Sequence, residues 1–382
     1  MARCLALLGM MATHILPGVD ADGQGVPLAQ QIAGGRSAAL FATLAGVSLA
    51  LVTGRTTPWR GRALAAARMS VIARACVIAV IGLVLGALDS GVAVILVYYA
   101  VLFVLAIPFL GLGWKPLAWL AVLWAVVAPV LSHLVRPQLP APTYVSTSLE
   151  QVFLDPVNLA VTLLVNGYYP AGLWLSYIFA GLAVGRLALD QTRVAVGLVT
   201  VGAILAAGAW AASWLLVHGL GGYEVLERTI PPRAVGFRDG LDIALVHGLY
   251  GTTPTTSWWW LTISAPHSTT PFDLLHTIGT ALLVLGVALL AGRLAPGVLG
   301  VIFAAGSMTL TLYTLHVLAL ASEIGPERGS IQLYAVHAAA AVAFGAVWRM
   351  ALGQGLLERV AATAGQAASV AVSATAPRPV SR

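Results

Sequence analysis

Apolar residues fall in ten long runs, separated by short polar breaks that carry most of the glycine, proline and arginine. Crossing about 30 Å of hydrocarbon takes roughly 20 apolar helical residues. That ruler predicts helices over 2–17, 35–53, 70–88, 91–111, 117–135, 170–188, 194–217, 272–292, 297–320 and 331–352. The pattern therefore predicts an all-α fold, a polytopic membrane helix bundle with about ten transmembrane helices. The first run is short, with Met1 to Arg3 ahead of it, as expected if the natural start lies upstream. Two connections are long, 136–169 and 218–271, and loops longer than about 15 residues are usually functional or disordered. These two are the expected recognition surfaces. The run Trp258-Trp259-Trp260 is expected at the outer interface, where indoles are favoured. From 359 the chain turns to Ala, Ser, Thr and Pro, which divides it into a membrane domain (1–358) and a disordered cytoplasmic tail (359–382). No internal repeat marks an inverted-repeat transporter.

Composition agrees with the pattern. The chain is 59% hydrophobic and 9% charged, with a mean hydropathy of +0.91, whereas soluble domains carry about 25% charged residues. A net charge of +6 would suit nucleic acid, but the arginines cluster between apolar runs as orientation signals do, so no nucleic-acid partner is expected. With ten spans, 14 of the 20 basic residues share one face, among them Arg3, Arg55, Arg60, Arg62, Arg68, Arg74 and Lys115. Of the 14 acids only Asp190 and Glu358 join them. The positive-inside rule makes that face cytoplasmic, placing both termini inside a multi-pass protein of the plasma membrane. Cys4 and Cys76 sit in or beside spans, which excludes a disulfide framework. Residues 4–16 are apolar but lack the small-residue cleavage pattern of a signal peptide.

An ionisable group inside a span is a functional hypothesis by default, because its burial in lipid is costly. His14 ends the first span on the outer side, where an imidazole either passes protons near neutral pH or merely caps a helix end. Arg36 and Ser37 open the second span after Gly34-Gly35. The arginine there opposes the helix dipole, so it needs a carboxylate (Asp20, Asp22 or Asp273), an anionic ligand, or lipid headgroups. The segment Pro266-His267-Ser268-Thr269-Thr270-Pro271-Phe272-Asp273-Leu274-Leu275-His276 combines capping residues with two histidines. Asp273 and His276, three apart, share a helix face and could pair, as carboxylates orient catalytic imidazoles elsewhere. His316 lies deep in the ninth span among Thr309, Thr311, Tyr313 and Thr314, a polar stripe that either bonds helix to helix or lines a channel. His133, His218, His247 and His337 are assigned no role. Phosphate-binding, Gly-x-Ser-x-Gly and His-Glu-x-x-His motifs are absent, and no metal is expected.

Taken in order, several of these pieces resemble the bacterial membrane proteins related to heparan-α-glucosaminide N-acetyltransferase. The matching stretches are Leu7 to His14, Gly35 to Ser48, Tyr169-Pro170-Ala171-Gly172-Leu173-Trp174 with Ala180 to Arg186, Pro266 to His276, and Thr309 to His316. The resemblance implies that 1–358 is acyltransferase-like. It implies transfer of an acyl group, acetyl in that family, from cytosolic acetyl-CoA or another acyl-CoA to a glycan or lipid-linked acceptor outside. It also implies a histidine near the outer end of the first span, which only His14 can match here. In that picture His14, Asp273 and His276 are catalytic. Arg36, Ser37, His267, Tyr313 and His316 bind substrates, and Arg55, Arg60 and Arg62 attract the CoA phosphates. The sequence departs from the family in lacking the aspartate before the first-span arginine and the aromatic stretch of the first loop, so aminosugar specificity is not implied. Partners are then the bilayer, acyl-CoA and the outer acceptor, with homo-oligomerisation left open. The rival reading is a transporter or flippase that uses the same histidines as a proton path; a scaffold whose outer loops bind a partner is a third.

Overall fold

A computed structural model describes residues 1–20, 25–140, 146–231, 237 and 240–374. Twelve helices carry the architecture. They are α1 (Ala2–Ile15), α2 (Leu28–Ala33), α3 (Arg36–Val52), α4 (Gly61–Gly86), α5 (Leu96–Ala106), α6 (Trp114–Val135), α7 (Ala171–Gly185), α8 (Thr192–Trp214), α9 (Pro271–Leu294), α10 (Thr309–Ala321), α11 (Ile331–Leu352) and α12 (Leu356–Ala374). The described residues contain no strand, and the chain is an all-α membrane bundle.

Each of the ten predicted runs holds a helix, but among the described residues only six stretches are long and apolar enough to cross a bilayer. These are Leu28–Val52, Gly61–Gly86, Trp114–Gln138, Thr192–Gly219, Pro271–Leu294 and Ile331–Leu352. The expected count of ten is thus corrected to six. The four runs outside that set hold α1, α5, α7 and α10, with 14, 11, 15 and 13 residues, only about 16–23 Å of helix at 1.5 Å per residue. Nearly every residue of α7 is buried, including Trp174, Tyr177 and Phe179. A helix covered by protein on all sides need not match the lipid thickness. The ninth run is also broken, into Pro296–Ile302, a 3₁₀ turn Ala304–Ser307 and α10. The tail expected to be disordered is helical over Leu356–Ala374. Its Ala and Ser read as low complexity, yet Gly365 lets α12 lie against Ser70 and Arg74 of α4. Residues 375–382 fall outside the described chain.

Bare glycines bring the central helices together. A Cβ on Gly181 would lie 1.9 Å from the Thr43 carbonyl oxygen and 2.9 Å from the Cα of Gly46, so α7 and α3 touch backbone to backbone. Small residues at such crossings are the usual means of packing helices in lipid, where no hydrophobic force separates lipid tails from side chains. Gly181→Leu is expected to prevent this packing and to abolish recovery of monodisperse protein on size exclusion. Gly197→Ala, at a site with nothing within 4 Å, should behave as wild type; equal recovery of the two variants would refute the contact.

The long connection after α8 carries a small core of its own, built from Val217, Leu226, Leu241, Ala244, Leu249, Trp260, Ile263 and Ala265. Of the tryptophan run, Trp258 is exposed as an interfacial residue should be. Trp260 is fully buried, its indole N–H donating to the hydroxyls of Thr229 and Thr256, each at 3.2 Å.

Candidate active site

Four segments meet at the end of the bundle where the long connections lie. α1 stops at Leu16-Pro17, leaving His14 in its last turn. α2 then folds back, and Gln30 donates to the Thr13 carbonyl at 3.3 Å. The chain turns at Gly34-Gly35 into α3. Gly35 has φ +68°, and a Cβ there would press on Pro266 and His267 at 3.1–3.3 Å, so the turn and the 266–270 segment are built against each other. Ser37, one residue into α3, packs over the bare backbone of Gly9.

The 266–270 segment is itself pinned. Leu249 N–H donates to the Pro266 carbonyl at 2.8 Å and Gly251 N–H to the His267 carbonyl at 2.9 Å. The Thr269 hydroxyl donates to the Gly251 carbonyl at 2.6 Å, and Thr270 bonds the Ile263 carbonyl. His267 and Thr269 both sit in the left-handed region, with φ +55° and +51°, a strained conformation that surrounding structure must enforce. The constraint aims the His267 ring into a ring of aromatics. It stacks on Trp174 with centroids 6.3 Å apart at 7°, and meets the edges of Tyr168 at 5.4 Å and Tyr169 at 5.7 Å. Burial holds its pKa down to about 4, so His267 is neutral at pH 7.

These pieces enclose an outer cavity of about 160 Å³, lined by His14, Gln30, Ser37, Tyr168, Tyr169, His247, Tyr250, His267 and Tyr313 with small and apolar neighbours. Four residues singled out in the sequence (His14, Ser37, His267 and Tyr313) share it. A second, inner cavity of about 440 Å³ opens toward the basic end, lined by Arg3, Ser48, Arg74, Tyr99, Thr309, Glu358 and Gln366 among others. Met10, Ile95 and Tyr313 line both cavities and form the partition between them. Arg3 bonds the Ser48 hydroxyl, while Glu358 accepts from the N–H groups of Leu310 and Thr311 at 2.6 and 3.3 Å.

Other expected residues stand elsewhere. Arg36 answers its unfavourable place at a helix start by donating through Nε to His276 Nε2 at 3.2 Å and through Nη1 to the Gln31 carbonyl at 2.5 Å. His276 Nδ1 faces the Ala206 carbonyl at 2.9 Å. A guanidinium can only donate and a carbonyl can only accept, so His276 is neutral with its proton on Nδ1. Its pairing with Asp273 is therefore corrected: the ring ties α3 to α8. Asp273 turns instead into the 266–270 segment, Oδ2 accepting from Thr269 N–H at 2.9 Å. Asp20 accepts no bond from Arg36; its N–H donates to the Gly25 carbonyl. Asp22 lies outside the described residues. Arg55, Arg60 and Arg62 are exposed and line neither cavity; Arg62 reaches the Val372 carbonyl of α12 at 3.5 Å.

His316 is buried behind His14 rather than in the outer cavity. His14 Nδ1 and His316 Nε2 are 3.1 Å apart, and His316 Nδ1 lies 2.9 Å from His337 Nδ1. His337, His247, Tyr168, Tyr169 and Tyr250 were assigned nothing from sequence. The signal that picked out His316, an imidazole within an apolar run, was present for His337 too.

The sequence model of one protein family, described as heparan-alpha-glucosaminide N-acetyltransferase, catalytic, matches residues 1–220 of the 382. The chain belongs to this family. Heparan-alpha-glucosaminide N-acetyltransferases carry out acetyl transfer, which places the chain among transmembrane acyltransferases. The matched region holds His14 and Ser37 from the outer cavity, Arg3, Ser48 and Arg74 from the inner one, and Arg36 beside His276. His267, Asp273, Tyr313, His316 and His337 lie beyond it. No curated protein and no solved structure matches the chain.

Proposed function

We propose that the chain carries an acyl group, acetyl first of all, from a cytosolic acyl-CoA to a hydroxyl of a glycan or lipid-linked acceptor on the outer face of the plasma membrane. The observation that carries this reading is the pair of cavities meeting at Met10, Ile95 and Tyr313. An acyl-thioester arm long enough to cross the inner cavity would present its carbonyl carbon at the partition, beside His14. Arg3 and Arg74, rather than Arg55, Arg60 and Arg62, are the cations that face the donor's path.

His14 Nδ1 is engaged by His316, which leaves Nε2 for chemistry. As a base, Nε2 takes the acceptor's O–H proton, the oxygen attacks the thioester carbon, and the C–S bond breaks. The imidazolium then returns a proton to the thiolate. Alternatively Nε2 attacks first and carries the acyl group itself. No Asp, Glu, Lys or Arg is among the described residues lining the outer cavity. A neutral hydroxyl suits such a lining better than an ammonium, whose charge would go unpaired. Tyr168, Tyr169 and Tyr250 offer aromatic faces and hydroxyls that suit a sugar ring.

The test is label transfer from [¹⁴C]acetyl-CoA by protein in nanodiscs, with glucose or glucosamine as acceptor probes. Glucose is expected to accept label as O-acetyl. Filling the inner cavity with Ala45→Trp should raise the KM for acetyl-CoA by roughly tenfold, a loss of about 1.4 kcal/mol of binding, and leave the acceptor KM unchanged. Wild type that transfers nothing, yet shows sugar counterflow in proteoliposomes without CoA, would overturn the proposal in favour of transport.

A further inference from the structure

The three histidines at 14, 316 and 337 come from α1, α10 and α11 and form one continuous contact. The His14 and His316 rings are nearly coplanar, at 16°. Their centroids are 5.4 Å apart against 3.1 Å between the nitrogens, so the nitrogens point at one another. The His316 and His337 rings are perpendicular, with 2.9 Å between their Nδ1 atoms. Each such contact needs one proton between two nitrogens, and each neutral imidazole brings one. Only two arrangements satisfy both contacts with neutral rings. In one, His14 Nδ1–H donates to His316 and His316 Nδ1–H donates to His337, leaving His14 Nε2 bare toward the outer cavity. In the other, both bonds run the opposite way and His14 Nε2 carries the proton.

The far end of the chain is not sealed. His337 is half-buried and lines, with His316, a groove of about 290 Å³ between α10 and α11. That groove shares Ala319 and Ile324 with a neighbouring one bearing Glu323, Glu327 and Arg328. Gly329 N–H donates to the Ile15 carbonyl, so this rim lies at the same end of the bundle as His14.

The geometry points to His316 and His337 as a proton relay that switches His14 between a base and an acid, with His337 as its outlet. This assignment rests on the acyl-transfer reading for its purpose. When His14 Nε2 gains the acceptor's proton, its Nδ1 proton moves to His316 Nε2 and that ring's Nδ1 proton moves to His337. His337 then releases its Nε2 proton toward the groove. All three rings end neutral in the second arrangement. Running the steps backward, with a proton taken up at His337, lets His14 give its Nε2 proton to the departing thiolate and restores the first. One proton enters the chain and one leaves in each half-cycle, and no oxidation occurs. His316 and His337 act through His14 and are positioning residues.

Two measurements test the relay. In protein labelled with ¹⁵N-histidine, solid-state NMR in lipid should show nitrogen–nitrogen correlations through N–H···N bonds linking three imidazoles. His337→Phe should remove one of the two links. Chains showing no such correlation overturn the relay whatever the activity. In the transfer assay, His337→Gly should lower kcat by roughly 100-fold, the lower end of what acid–base catalysis contributes, with the KM values unchanged. Added imidazole, which can occupy the vacated groove, should restore turnover in proportion to its free-base fraction. His337→Gln, able to hydrogen-bond but not to pass a proton, should stay slow; full activity in His337→Gln, or no rescue of His337→Gly, overturns the relay. Intact correlations in a wild type that transfers no label would instead count against the acyl-transfer reading while leaving the proton chain in place.

Discussion

His14→Ala is expected to lower acyl transfer by roughly 10²- to 10⁴-fold, the span that positioned acid–base groups contribute, without unfolding the bundle. The expectation follows from where the side chain stands. His14 occupies the last turn of α1, lines the outer cavity, and has one nitrogen held by His316. Alanine removes an imidazole that lines the outer cavity while leaving the buried Leu7 and Met10 of α1 and the contact of Gly9 with Ser37 of α3. The variant loses one hydrogen bond, a net cost of about 1 kcal/mol, small beside a folded bundle's stability. Initial rates of label transfer and a melting curve in the same detergent separate the two effects. An alanine variant as active as wild type would sink the role of His14. A variant that no longer folds would show in the melting curve, and His14→Gln, which retains a hydrogen-bonding group toward His316, then carries the test.

Two residues singled out by their place in apolar runs converge in the fold, and one pairing suggested by helical spacing does not form. Asking which ionisable groups sit in apolar runs found His14 and His316, and these prove to be in contact although 302 positions apart. The same question passed over His337 because it lies near a span's end, where an imidazole is cheap to solvate. Pairing by helical spacing failed for Asp273 and His276. Spacing three apart places two groups on one helix face, but it does not say which neighbour each will meet, and Arg36 and the Ala206 carbonyl claimed His276 first. The left-handed backbone at His267 and Thr269 has no sequence signature beyond proline, and Thr269, being β-branched, is a rare left-handed former. Helix positions were legible from hydropathy throughout. Span count was not, because α1, α5, α7 and α10 are apolar helices shorter than the runs that hold them, and hydropathy does not mark where a helix stops inside an apolar run. Charge patterning singled out Arg55, Arg60 and Arg62, which line neither cavity. Arg74, the last of that arginine-rich stretch, and Arg3, at the start of the chain, meet at the inner cavity only through the fold.

Arg186→Met is expected to cost about 3 kcal/mol or more of stability, the scale of one or two hydrogen bonds to a buried charge, and to leave the transfer rate per folded molecule near wild type. Arg186 is 2% exposed at the end of α7, where it closes the stretch Ala180 to Arg186. Among the described residues its Nη1 donates to the carbonyls of Ala50, Thr53 and Arg55 at 3.0, 3.2 and 2.9 Å. Nη2 reaches the Thr53 hydroxyl at 2.8 Å and the Leu110 carbonyl at 2.6 Å. The guanidinium thus gathers the carbonyls that end α3, where the helix dipole favours a cation, and ties them to the connection after α5. Methionine fills the volume but donates nothing, so buried carbonyls lose their partners and the full desolvation cost returns. Lysine keeps the charge but cannot spread its donors as the planar fork does, so Arg186→Lys should fall between methionine and wild type. Melting of the three proteins in one detergent, read by loss of the monodisperse peak, measures the order. Equal melting of Arg186→Met and wild type would show that water or lipid headgroups reach these carbonyls. The bundle's basic end would then be more open than the packing of α3, α5 and α7 indicates.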